Sequence, residues 1–154
     1  MEKSIDLFGV MKQLDCLEDV DMKTYSPLTL AYIGDAVYEM VIRTKLVVKG
    51  NSQVNKLHKR ASELVNAHAQ AVMIESLCKG NILSEAEMNI YKRGRNAKAV
   101  TKAKNASMID YRTATGFEAL VGYLYLSEQS ERMMILIETG IANYYSIKEQ
   151  KKQQ

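Results

Sequence analysis

Two short stretches of the chain set an acid between small residues inside an apolar helical pattern. The first is Ala31-Tyr32-Ile33-Gly34-Asp35-Ala36-Val37-Tyr38-Glu39, and the second is Gly116-Phe117-Glu118-Ala119-Leu120-Val121-Gly122. A carboxylate on or near a packing face is costly unless something pairs with it. Small neighbours leave room for a partner to come close. Gly within a helix costs about 1 kcal/mol relative to Ala, so Gly34 beside Asp35 points to close approach by another backbone or a ligand. Helical spacing sets Tyr32, Asp35, Glu39 and Ile42 along one side, with Tyr32, Asp35 and Glu39 on an edge of the core face. Glu118 has Ala114 and Gly122 one turn to either side. If the two helices pack together, Asp35 and Glu118 form a divalent-metal site. Two oxygen ligands from different helices suit magnesium, which keeps several waters and completes its shell from substrate phosphates. The chemistry is then hydrolysis of a phosphodiester by an activated water. The plainer alternative is a structural Asp paired with Lys or Arg and a solvated helix Glu.

A second constellation is basic. Tyr91-Lys92-Arg93-Gly94-Arg95-Asn96-Ala97-Lys98 lies in a stretch, from 88 to 109, that has no acid and six cations: Lys92, Arg93, Arg95, Lys98, Lys102 and Lys104. Arg and Lys with free amides at a turn can hold phosphate oxygens, and Gly94 is expected to let the chain turn there. The alternative is a solubilising surface patch. His58-Lys59-Arg60 forms a weaker basic cluster, while His58 and His68 lack metal-ligand spacing. Residues 1–22 are the opposite, with six acids (Glu2, Asp6, Asp15, Glu18, Asp19, Asp21) against two lysines. The net charge of +3 hides this division.

The elements that carry these residues are helices. With 154 residues, 8 Gly, 1 Pro and no Trp, the chain suits one domain and has too few turn residues for a sheet-rich fold. Ser26-Pro27 opens a helix that Lys49-Gly50-Asn51 closes. Ser52 is expected to cap the next, with Val54, Leu57, Ala61, Leu64 and Val65 as its stripe. The pattern resumes through Ala69, Val72, Met73 and Leu77 as far as Lys79-Gly80-Asn81. Ser84-Glu85-Ala86-Glu87 is a capping box for a helix running to about Gly94. Periodicity then fails from Arg95 to Ile109, which reads as a long exposed loop or ragged helix end. Asp110 restarts a helix through Ala114, Phe117, Val121 and Leu124. Ser130 opens the last, through Met133, Met134, Ile137 and Ile141, and the tail from Lys148 to Gln154 is expected to fray. The expected fold is a single all-α domain of six or seven helices, divided into an acidic N-terminal segment (1–25), a catalytic domain (26–145) and a C-terminal tail (146–154). The nine Met and nine Tyr are read as core filler and amphipathic edges. Cys16 and Cys78 form no metal motif, the chain start has no secretory-signal pattern, and the longest apolar run, Ala119 to Leu126, is too short to span a bilayer. The expected setting is the cytoplasm, with no membrane partner.

Three ordered motifs together resemble the Mini-III ribonucleases: Leu30 to Glu39, Lys92 to Lys98, and Tyr111-Arg112-Thr113-Ala114-Thr115-Gly116-Phe117-Glu118-Ala119-Leu120-Val121-Gly122-Tyr123-Leu124. These are small relatives of ribonuclease III that have its helical catalytic domain without a double-stranded-RNA-binding domain, and the likeness covers about residues 26 to 142. The resemblance implies a homodimeric, magnesium-dependent endoribonuclease acting on double-stranded RNA and maturing the ends of precursor large-subunit (23S) ribosomal RNA. It implies that Asp35 and Glu118 are the metal-binding, catalytic acids. Lys92, Arg93, Arg95, Asn96 and Lys98 are the expected RNA contacts, to which His58 and Lys59 are added from the separate, weaker basic cluster. Glu39, one turn from Asp35, is a candidate for orienting the attacking water. The larger ribonuclease III enzymes have a further glutamate where this chain has Ala31 and a further aspartate where it has Thr115. The alternative reading is a non-catalytic module for structured RNA, and a third is a helical protein-interaction domain.

Overall fold

The structure, a computed structural model, describes residues 7–19, 21–98 and 107–154. Glu2, Asp6, Lys102 and Lys104 of the two charged stretches lie outside the described residues. The described chain forms α1 (Leu7–Leu14), a short 3-10 turn (Met22–Thr24), α2 (Pro27–Lys49), α3 (Val54–Val65), α4 (Ala67–Lys79), α5 (Glu85–Asn96), α6 (Met108–Leu126) and α7 (Ser130–Lys152). The fold is all-α.

Helix α6 is the axis of the molecule. Residues Thr113, Ala114, Gly116, Phe117, Ala119, Leu120, Val121, Gly122 and Leu124 are all buried, because α2, α4, α5 and α7 pack around it. A helix apolar on nearly every side is stable only when enclosed in this way. Its neighbours come exceptionally near at glycines. A Cβ on Gly34 would lie 1.8 Å from the Glu118 carbonyl oxygen, and one on Gly122 would lie 2.0 Å from that of Leu30. On the other side, a Cβ on Gly94 would meet the Ala119 Cβ at 2.8 Å and the Gly116 Cα at 2.9 Å. These contacts, with Ala31, Ala119 and Ile90 packed together, clamp α6 between α2 and α5.

Several helix ends follow local chemistry. The Ser26 hydroxyl accepts from the Thr29 amide at the start of α2. Ser84 and Glu87 form the expected capping box on α5. Other ends differ from expectation. Ser52 caps nothing: α3 starts at Val54 behind Gln53, without a side-chain cap. Gly94 does not turn the chain, since α5 continues to Asn96 and buries Gly94 against α6. Helix α6 begins before Asp110, because Ser107 caps it by accepting from the Asp110 amide at 3.0 Å. The C-terminal tail is helical to Lys152, since nothing from Ser146 onward is a helix breaker. The acidic segment contains the unforeseen α1, which docks Phe8 on the Tyr125 ring and sends Lys12 to Glu128.

One half-buried ion pair fastens α7 to α5. The Arg132 guanidinium donates to both Glu87 carboxylate oxygens at 2.9 Å, and to the Ile82 carbonyl at 2.7 Å. Arg132, then the hydrogen bonds from Ser84, hold the Glu87 carboxyl below its ordinary range against the opposing effect of burial. A depressed folded pKa means stability present above the unfolded value and lost as pH falls through the folded one. Arg132→Met should therefore cost about 1–2 kcal/mol at neutral pH, below the range for breaking a fully buried pair because the Arg132 side chain reaches solvent. Denaturant titrations should show that deficit shrinking below the ordinary glutamate range; a pH-independent deficit would mean the loss is packing alone.

Candidate active site

The α2–α6 crossing that the glycines permit places Asp35 and Glu118 on facing helices, with their carboxyl groups in hydrogen-bonding contact. Asp35 is exposed and Glu118 half-buried. Tyr32 is not on the core side as the helical spacing suggested: it is 81% exposed. The buried face of α2 is Leu30, Ala31, Gly34, Val37, Tyr38 and Ile42, which turns Tyr32 and Asp35 toward the rim of the seam. Beneath the pair, the Tyr38 ring meets Phe117 edge-on at 5.2 Å. The Tyr38 hydroxyl donates to the Leu64 carbonyl at 2.7 Å. These contacts fix the residues three after Asp35 and one before Glu118.

Burial, then the nearby Asp35 carboxylate and the hydrogen bond between them, pushes Glu118 up to about 9. Held that high with no cation between the acids, the Glu118 carboxyl keeps its proton at neutral pH. Two acids this close cannot both ionise without a compensating cation. Their hard oxygen donors suit magnesium, and a pair from two helices is the kind of partial shell that ion takes from a protein. Among the described residues no group of three or more His, Cys, Asp and Glu gathers around a common point. Ala31 and Thr115 account for this: Ala31 is buried against Ile90 and Ala119, and the Thr115 hydroxyl donates to the Tyr111 carbonyl at 2.9 Å. Glu39 is one turn from Asp35, but it accepts from the Arg43 guanidinium on its own helix at 2.7 Å.

The basic segment divides in two. Lys92, Arg93 and Asn96 share the outer face of α5 with Asn89, and with Pro27 they line an open groove of about 660 Å³. Arg95 lies over the Tyr91 ring at 5.4 Å and donates to the Asn96 side chain. Lys98 is exposed just beyond the helix. Asn89 escaped the sequence reading, which tracked charge; its signal was the i, i+3, i+4, i+7 spacing of Asn89, Lys92, Arg93 and Asn96. His58 and Lys59 are exposed on α3, which packs on α2 and α4, whereas α5 packs on α6 and α2. His58 also lines a cavity of about 200 Å³ with Arg43, Leu46, Val47, Val54, Leu57 and Ala61.

Residues 28–129 match the Ribonuclease III domain family. The Mini-ribonuclease 3 of Clostridium tetani is 50% identical over 80% of this chain and 82% of its own length. That of Enterococcus faecalis is 50% identical over 76% and 89%, and that of a Thermoanaerobacter species 44% identical over 92% and 96%. The crystal structure of a Fusobacterium nucleatum protein superposes with a TM-score of 0.70 at 30% identity, covering 79% of this chain and 96% of that one. The matched span contains the α2–α6 crossing, both acids and the basic face of α5. The chain therefore belongs to the ribonuclease III domain family, in its Mini-ribonuclease 3 branch, and is an endoribonuclease of that type.

Proposed function

We propose that this endoribonuclease cleaves double-stranded RNA with magnesium held between Asp35 and Glu118. The reading rests on one observation above all: the two acids meet at a helix crossing on the domain that carries the basic groove of α5. When bound, the cation would neutralise charge on the scissile phosphate and lower the pKa of the attacking water. The protein's own part is geometric and electrostatic. Gly34 and Gly122 let the helices close, Tyr38 and Phe117 support the acids from below, and Asp35 and Glu118 would hold the cation between them. Lys92 and Arg93 anchor the duplex through its phosphates, so affinity should fall steeply with salt. By the resemblance of its motifs, the substrate is precursor 23S ribosomal RNA, cut in the cytoplasm. No described helix is long and apolar enough to cross a membrane. The catalytic unit is residues 26–145, with 1–25 and 146–154 as flanking segments.

The test is incubation of purified protein with a long RNA duplex, with magnesium and then with chelator. Cleavage should require the metal. Asp35→Asn, which keeps shape and removes charge, should abolish it. Cleavage by that variant at the wild-type rate would place the active centre elsewhere.

The working assembly is a homodimer with one site per strand. Tyr32, Ala36 and Met40 recur every fourth residue on the solvent side of α2, and Tyr32 and Met40 are 81% and 45% exposed. A large exposed aromatic in line with other exposed apolar residues is typical of a buried subunit contact. Tyr32→Glu should shift sedimentation to the monomer, whereas Tyr32→Phe should not. A dimer indifferent to Tyr32→Glu would move the interface to another face.

A further inference from the structure

The groove on α5 contains more than cations. Asn89, Lys92, Arg93 and Asn96 occupy one exposed helix face, and the groove they line is bounded on its other side by Pro27 of α2. Pro27, Ala31 and Asp35 follow one another at four-residue spacing along α2. By the helical rise, the groove therefore opens about 12 Å along the axis from the catalytic acid. Arg95 and Asn96 bond to each other. Asn89, Lys92 and Arg93 carry neither a side-chain hydrogen bond nor an ion pair among the described residues. Asn89 is therefore available to whatever fills the groove.

Its chemistry differs from that of its neighbours. Lys and Arg only donate, which matches a phosphate that only accepts. An asparagine amide both donates and accepts, which matches a hydroxyl that does both. The hydroxyl that duplex RNA presents along its wide minor groove, and DNA lacks, is the ribose 2′-OH. A face that sets an amide one turn before two cations can engage a sugar and its flanking phosphates together.

Resting on the duplex-RNA reading, we propose that Asn89 determines specificity, hydrogen-bonding a ribose 2′-hydroxyl while Lys92 and Arg93 hold neighbouring phosphates. Asn89 is a positioning and discriminating contact, remote from the reacting phosphate.

The test measures equilibrium binding, in chelator so that nothing is cut, of wild type, Asn89→Ala and Arg93→Ala. The probes are an RNA duplex and the same duplex with fluorine in place of the 2′-hydroxyl throughout both strands. Asn89 is exposed in mid-helix, so Ala there favours the helix and the fold survives. Asn89→Ala should weaken RNA binding about threefold to tenfold, the range of one neutral hydrogen bond. It should leave binding of the hydroxyl-free duplex unchanged, and it should not alter the slope of log affinity against log salt. Arg93→Ala should weaken all duplexes alike and flatten that slope. An Asn89→Ala that binds RNA as the wild type does, or loses equally on every duplex, would overturn the assignment. A wild-type protein that binds no RNA duplex would instead overturn the duplex-RNA reading beneath it.

Discussion

Gly34→Ala should lower the melting temperature by roughly 5–10 °C and reduce cleavage further than the lost stability explains. The added Cβ would sit 1.8 Å from the Glu118 carbonyl oxygen and 2.8 Å from both the Glu118 carbonyl carbon and the Gly122 nitrogen. All three are main-chain atoms of a helix enclosed by its neighbours, so no rotamer change relieves the clash. Overpacking a core typically costs about 1–3 kcal/mol, and backbone-on-backbone contact puts this case at the upper end or above. Against that stands about 1 kcal/mol of improved helix propensity. A net loss of about 2 kcal/mol or more corresponds to the stated shift for a chain of this size. Relief can come only from α2 and α6 moving apart, which separates Asp35 from Glu118. Gly140→Ala is the control. Its Cβ would meet the Met73 Cβ and Cε at 3.2 Å, and a flexible Met can give way, so its effect should stay within about 1 kcal/mol. Melting curves and initial rates, taken where both variants are folded, decide the matter. A Gly34→Ala protein that melts with the wild type would mean that the crossing is looser than its geometry.

The crossing was legible in the sequence because its causes are local. Small residues flank one acid in each of two helical patterns, and only close packing rewards that arrangement. The limits of α2 were legible for a similar reason: Ser26-Pro27 and Gly50 act within one turn of the helix ends they set. What was not legible depends on partners far apart in the chain. Gly94 looked like a turn residue until Gly116 and Ala119 came up against it. Arg132 and Glu87 are 45 residues apart, and no periodicity pairs them. Helical spacing gave the direction of Asp35 relative to Ile33 and Val37, but not the true centre of the buried face, which α6 fixes. Sorting by charge grouped Arg95 with Lys92 and Arg93, while the helix puts Arg95 over Tyr91 and gives the groove Asn89 instead. Glu39 had the right spacing to serve Asp35, yet Arg43 stands at the i+4 position that a glutamate on a helix pairs with most readily.

Glu118→Gln should make the metal-free protein more stable while removing its activity. The Glu118 carboxyl is pushed up to about 9 by burial and by Asp35, against about 4.3 in an unfolded chain. Between those values the folded state binds more protons than the unfolded one, so stability falls as pH rises. Gln keeps the shape and the donating group and cannot ionise, which removes that dependence. In chelator at pH 7 the variant should gain roughly 2 kcal/mol, less than the full shift implies because a half-buried carboxyl keeps some water. The two proteins should converge below about pH 3.5, where both carry a neutral side chain at this position in either state. Saturating magnesium should restore the wild type's stability and leave the variant's nearly unchanged, since only the wild type would offer a cation both carboxylates. Cleavage of duplex RNA should fall at least about 100-fold, matching the several kcal/mol that a bound cation contributes to the transition state. Two results would count against this account. A variant that melts at or below the wild type in chelator at pH 7 would mean that Asp35 and Glu118 are not held in opposition. A variant that still cuts would mean that the strain exists but does not serve the reaction. The opposing movement of stability and activity is what the proposed cation site predicts, since its two acids are held together at a cost in stability.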